Sequence, residues 1–251
     1  METRSKSLLS AEGIRKSFLF RGSVSTVLDN VNFSIEEGEF VSIIGPSGCG
    51  KSTFLELLAG ITLPDKGVIR SYGADITGKT GILGYMPQDD LLFPWLNTLQ
   101  NILLPVKVKG RNTSQATKQI EALLPLFGLQ NHIGYHPHQL SGGLKQRVAL
   151  LRTYMNSTKV LLLDEPLANL DSLTRSQLQT WLKTIVETLK LTVILVTHDI
   201  DEAILLSNRI ELMSKNPGNF TRSIKVPVQT ALEDSLQIEL KNIIKAEFLE
   251  L

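Results

Sequence analysis

Residues 45–53 read GPSGCGKST, after an apolar run and ahead of KSTFLELLAG. Glycines at 45, 48 and 50 permit a tight turn whose successive amides converge on one centre, the kind of nest that holds phosphate oxygens. A helix beginning near Lys51 would add the positive end of its dipole. Lys51 supplies a point charge for β- and γ-phosphates, and the Ser52 hydroxyl is a Mg²⁺ ligand. Gly45, Pro46, Ser47, Gly48, Cys49, Gly50, Lys51, Ser52 and Thr53 are therefore the expected phosphate-binding residues for ATP. Cys49 fills a tolerant position among them. A second run, VLLLDEP (160–166), sets Asp164 and Glu165 at the end of an apolar stretch. Beside a phosphate loop, Asp164 is expected to hold Mg²⁺ and Glu165 to polarise the attacking water. His198 closes TVILVTH (192–198), where a γ-phosphate is its natural partner.

These side chains need a frame. FVSIIG (40–45), KVLLLDE (159–165) and TVILVTH are β-branched-rich and lack polar alternation, as strands buried on both faces of a parallel sheet do. Each ends in polar or glycine residues, and open α/β sheets bind ligands at the carboxyl ends of their strands. STVLDNVNFSIEEGEF predicts antiparallel strands broken at Glu37–Gly38. TSQATKQIEALLPLFGL carries apolar residues at helical spacing, with a Thr/Ser start and Gly128 near its end, and SGGLKQRVALLRTYM predicts a second helix. The expected organisation is one domain over 1–251. Its α/β core spans 1–88 and 158–228, and a helical lobe is inserted at 89–157. A terminal helix over 229–251 would pack Leu232, Leu236, Leu240, Ile243 and Ile244 on the core as structural cover.

Composition narrows the class. Hydrophobic residues make up 42% of the 251, charged ones 20%, and the net charge is +1 without a basic block, which argues against a nucleic-acid partner. One cysteine favours a reducing compartment. No apolar stretch suggests a signal peptide or a membrane span. A soluble chain follows. His136 and His138 have H-x-H spacing with no carboxylate or cysteine nearby, which predicts loop residues rather than metal ligands.

Taken in order, the motifs resemble the ATP-binding subunit of an ABC transporter. GPSGCGKST is similar to the Walker A loop, Gln88 to the Q-loop glutamine, and LSGGLKQR (140–147) to the family signature. LLLDEP resembles Walker B, ANLD (168–171) the D-loop, and THD (197–199) the switch histidine. The resemblance implies a P-loop NTPase (RecA-like) α/β core with an N-terminal antiparallel β subdomain and an inserted helical subdomain. It implies ATP and Mg²⁺ as ligands, with Glu165, His198 and Gln88 catalytic and Ser52, Gln88 and Asp164 around the metal. Phe18, or Phe20 as the alternative, would stack on adenine. Ser141, Gly142 and Gly143 open a helix whose amides form a second anion site. The resemblance implies that they close over ATP held by a second copy of the chain or a close homologue, with Asp171 at the seam. Leu144 stands where the common signature has glutamine.

One stretch remains: DDLLFPWLNT (89–98) crowds apolar side chains around Pro94, directly after Gln88. Proline disfavours helix and central strand, so a surface loop is expected, and exposed apolar loops have partners. The resemblance implies that a membrane-spanning permease subunit docks there, with Trp95 as anchor. LLFPWLNTLQNI and LSNRIELMSKNPGNFTRSIKVPV (206–228) resemble ATPases of nitrate, sulfonate, taurine and thiamine-precursor importers. The implied function is ATP-driven solute import, peripheral on the cytoplasmic face of the inner membrane, with a solute-binding protein engaged only indirectly. An ABC exporter subunit and a soluble non-transport ABC ATPase are the alternatives.

Overall fold

The structure is a computed structural model that describes residues 7–20, 22–156, 159–215, 217–227 and 234–249. The chain forms two compact units, residues 1–80 with 191–251 and residues 81–190.

In the first unit, β1 (Leu9–Phe20) and β2 (Ser23–Ile35) pair antiparallel, and β4 (Lys66–Ser71) and β5 (Ala74–Asp75) extend the sheet in the order β2-β1-β4-β5. The chain breaks at 36–39, where the sequence predicts a turn, and enters β3 (Phe40–Ile44). All five residues of β3 are buried, as are those of β8 (Thr192–Val196), its parallel neighbour. On its other side β3 pairs in parallel with β9 (Arg209–Met213), which pairs antiparallel with β10 (Phe220–Lys225). Helices α1 (Lys51–Leu58), α6 (Ile200–Leu206) and α7 (Asp234–Leu249) complete this unit. Phe33, Phe54 and Phe220 meet with ring centroids 5.4–5.6 Å apart, two of the three contacts edge-on. Leu240 and Ile244 of α7 are buried with Ile44, Ile204, Ile210 and Leu212, and Ile243 packs beside them, so the terminal helix covers the core. Leu232 of the expected stripe, and Asn216 and Val228 of the 206–228 stretch, lie outside the described residues.

In the second unit β6 (Gly84–Met86) pairs in parallel with β7 (Val160–Asp164), again wholly buried. Helices α2 (Thr98–Val108), α3 (Thr113–Phe127), α4 (Gly142–Asn156) and α5 (Ser172–Leu189) belong to this unit, with α4 packed against β6 and against the other three helices. The cap of α3 is Asn112, whose side chain accepts the Gln115 amide at 3.1 Å, one residue before the expected Thr/Ser start. Helix α3 stops at Gly128 as expected. Helix α2 has no counterpart in the sequence reading. Asn97 caps it reciprocally with Gln100, both bonds at 2.9 Å. Among the described residues no helix is long and apolar enough to cross a membrane.

Candidate nucleotide-binding site

The glycine-rich loop runs from the end of β3 into α1. Its shape excludes larger residues: a side chain on Gly45 would lie 2.5 Å from the Met213 carbonyl oxygen. At Gly50 it would come within 2.8 Å of Leu28 while bearing φ +105°. The loop is thus wrapped against β2 and β9, and Gly50 opens α1 directly. Lys51 is only 8% exposed, and its ammonium donates to the carbonyls of Gly45 at 2.8 Å and Pro46 at 3.1 Å. The cation is therefore held under the turn by the loop itself. Cys49 is buried 3.8 Å from Lys51 Nζ. Burial pushes its thiol pKa up, against the opposing charge of Lys51. Ser52 is exposed in the first helical turn.

The turn after β8 carries His198, which is exposed, and is braced on both sides. The Thr197 hydroxyl donates to the buried Glu202 carboxylate and accepts the Asp199 amide at 3.0 Å. Asp199 caps α6, accepting the amides of Asp201 at 2.9 Å and Glu202 at 3.1 Å. Among these supports only Asp199, followed three residues later by Glu202, leaves a trace in the sequence as a helix-start pattern.

In the second unit Asp164 ends β7 at 5% exposure, and Glu165 follows with φ +44°, a left-handed conformation unusual for a residue with a Cβ. The Glu165 backbone carbonyl accepts the Ala168 amide at 3.2 Å, which closes a turn ahead of α5. Asp171 caps α5 through the Thr174 amide at 2.9 Å. That hydrogen bond holds its carboxyl below the usual aspartate range. Gln88 is exposed, just beyond β6.

Ser141 precedes α4 and its hydroxyl accepts the Leu144 amide at 3.3 Å, so it is the helix cap and Gly142 and Gly143 form the first turn. Leu144 takes part through its backbone, which any side chain provides. The 89–98 stretch is a loop until its last residue, Thr98, enters α2. Leu91, at φ +45°, is 61% exposed, Phe93 37% and Trp95 69%, with the two rings 5.2 Å apart. This apolar display rests on Asn101, a fully buried side chain. It accepts the Phe93 amide at 2.8 Å and donates to the carbonyls of Phe93, Leu96 and Asn97 at 3.0–3.2 Å. Arg152 adds bonds to the Asp90 and Leu91 carbonyls. Phe18 lies on β1, 42% exposed, with the Lys16 ammonium 5.1 Å from its ring centroid. The Phe20 side chain lies outside the described residues. His136 and His138 stack with centroids 5.9 Å apart, flanking Pro137 in the 3-10 turn that leads toward the signature.

The ABC transporter family profile matches residues 28–168. The aliphatic sulfonates import ATP-binding protein SsuB of Bacillus cereus is 42% identical over 217 residues, 86% of this chain and 85% of its own. The formylaminopyrimidine import ATP-binding protein ThiZ of Halalkalibacterium halodurans is 40% identical over 222 residues, covering 88% and 86%. Among solved structures, the dimeric post-hydrolysis state of the ATP-binding cassette MJ0796 bound to ADP and Pi superposes with a TM-score of 0.75 at 32% identity. It covers 88% of this chain and 99% of that one. Glycine loop, carboxylate pair and signature thus sit on the fold their order implied, and the chain belongs to the ABC transporter family as an ABC-type ATPase.

Proposed function

We propose that this chain is the ATP-hydrolysing subunit of an importer for a small solute of the sulfonate, nitrate, taurine or thiamine-precursor kind, held peripherally at the cytoplasmic face of the cell membrane. The observation that carries this reading is the Lys51 loop: a glycine cradle closed against β2 and β9, with its cation seated under the turn. Import is supported by relatives at 40–42% identity that are import ATP-binding proteins.

In this reading Gly45 through Thr53 bind the phosphates of ATP and Phe18, with Phe20 as the alternative, stacks on adenine. The hydroxyl of Ser52, the amide oxygen of Gln88 and the carboxylate of Asp164 are hard oxygen donors of the kind Mg²⁺ prefers, and they would hold it. When bound, the ion offsets negative charge on the phosphates. Glu165 accepts a proton as water attacks the γ-phosphorus and the bond to the β-bridging oxygen breaks. His198 holds the γ-phosphate, and Gln88 senses it. Ser141, Gly142 and Gly143 of a second copy, or of a close homologue, close over the same nucleotide. The solved dimer of a similar cassette supports that pairing. The loop 89–98 docks a membrane-spanning permease, and a solute-binding protein is engaged only through that permease.

Replacing Glu165 with Gln tests the chemistry. ATP turnover should fall by about 10²–10⁴-fold while ATP affinity is kept, and an ATP-bound dimer should accumulate on size-exclusion chromatography. Turnover at the wild-type rate would remove Glu165 from its role.

A further inference from the structure

Arg175 lies at the end of the first turn of α5, where the helix dipole disfavours a cation. Its guanidinium is spent on something else. Nε donates to the Leu167 carbonyl at 3.3 Å, and Nη2 to the carbonyls of Ala168 at 3.3 Å and Leu170 at 2.9 Å. These carbonyls belong to the short segment between Glu165, in its left-handed conformation, and Asp171, the cap of α5. A residue in such a conformation persists only where its surroundings over-determine it.

The same segment supports the signature. A side chain on Gly142 would lie 3.0 Å from Leu170 Cδ2, and one on Gly143 would lie 3.1 Å from Thr174 Cγ2. The first turn of α4 therefore sits directly on Leu170 and on the start of α5. One guanidinium fastens the backbone that carries Glu165 at one end and the seat of Ser141, Gly142 and Gly143 at the other.

We propose that Arg175 is a positioning residue for ATP hydrolysis: by tying down the carbonyls of 167–170 it sets the Glu165 carboxylate and the signature turn in register within one subunit. It touches no substrate and acts only through these neighbours. A lysine replaces it only in part, because one ammonium does not span three carbonyls as a planar fork does. The inference rests on the ATPase reading of Glu165 and Ser141 given above.

The test uses the full chain with Arg175→Met, which keeps the aliphatic stem and removes every donor. kcat for ATP should fall by roughly ten- to a hundredfold. KM and the affinity for a fluorescent ATP analogue should stay within about twofold, the mark of an interaction used only in the transition state. Arg175→Lys should recover part of the loss. In a second arm, Gly142→Ala should lower kcat by pressing on Leu170, and adding Leu170→Ala should restore part of it. A kcat within about twofold of wild type in a folded Arg175→Met protein overturns the proposal. So does a loss of kcat and affinity in step with a lowered melting temperature. If Arg175→Met fails to fold, Arg175→Lys decides: lowered kcat at unchanged KM supports the role, and wild-type kinetics overturns it. A wild-type chain that hydrolyses no ATP sinks the ATPase reading itself, a result separate from either outcome.

Discussion

Glu165 illustrates what a single residue costs and does. Its φ of +44° is a conformation that an L-residue adopts at a penalty of about 1–2 kcal/mol, and strain of this kind gathers at functional sites. A glycine would relieve the backbone but lose the carboxylate, so Glu165→Gln, which keeps the backbone demand, isolates the chemistry. Asp171 acts through charge. Its folded pKa is depressed by the Thr174 amide, so ionised Asp171 stabilises the folded state above its unfolded pKa. That contribution disappears as pH falls through the folded value. Asp171→Ala should therefore lower the melting temperature at neutral pH, and thermal melts carried into strong acid should show the two proteins converge. A difference that persisted with undiminished size in acid would contradict the cap assignment. Glu211 has the opposite sign: burial raises its carboxyl against the pull of Arg209, so its effect on stability worsens as pH rises above the unfolded value.

The loop 89–98 makes the argument for whole elements. A proline-centred apolar stretch would collapse or wander if left alone, and here one buried amide on α2 holds it open. Asn101→Ala removes those partners and leaves several backbone groups unsatisfied, so it should cost about 2–3 kcal/mol in chemical denaturation. Trp95→Ala, at a site 69% exposed, should change stability by no more than about 0.5 kcal/mol, yet weaken co-purification with the permease. Wild-type co-purification would refute docking at this loop. The loop itself was legible in the sequence through Pro94 and its apolar neighbours. Helix α2, which holds it, was masked by Pro105 inside the helix, although Asn97 followed three residues later by Gln100 is a start signal. Arg175 and Arg152 were equally silent, since an arginine bonded to distant or irregular carbonyls leaves no periodic trace.

For the molecule as a whole, binding and folding are coupled. A ligand that binds only the folded state stabilises it by about 2.7 kcal/mol at a hundredfold excess over Kd. Glu165→Gln with ATP and Mg²⁺ should therefore melt higher than the nucleotide-free protein. If two copies share the nucleotides, that gain should also rise with protein concentration. A nucleotide-dependent rise with no dependence on protein concentration would leave ATP binding intact and contradict the shared-site dimer.

Composition and order of residues determined the class of chemistry, because phosphate cradles, adjacent carboxylates and wholly apolar strands are local patterns whose physics is written in neighbouring residues. The strands 40–44, 160–164 and 192–196, the glycine turn and the capped signature could all be read that way. Tertiary structure alone decided what braces them. Lys51 bonded beneath its own turn, Thr197 on Glu202, Asn101 under the apolar loop, and Arg175 across the carbonyls of 167–170 are pairings of groups brought together by folding. Hydrogen bonds to irregular backbone have no sequence period, so only the folded chain reveals which donors they claim.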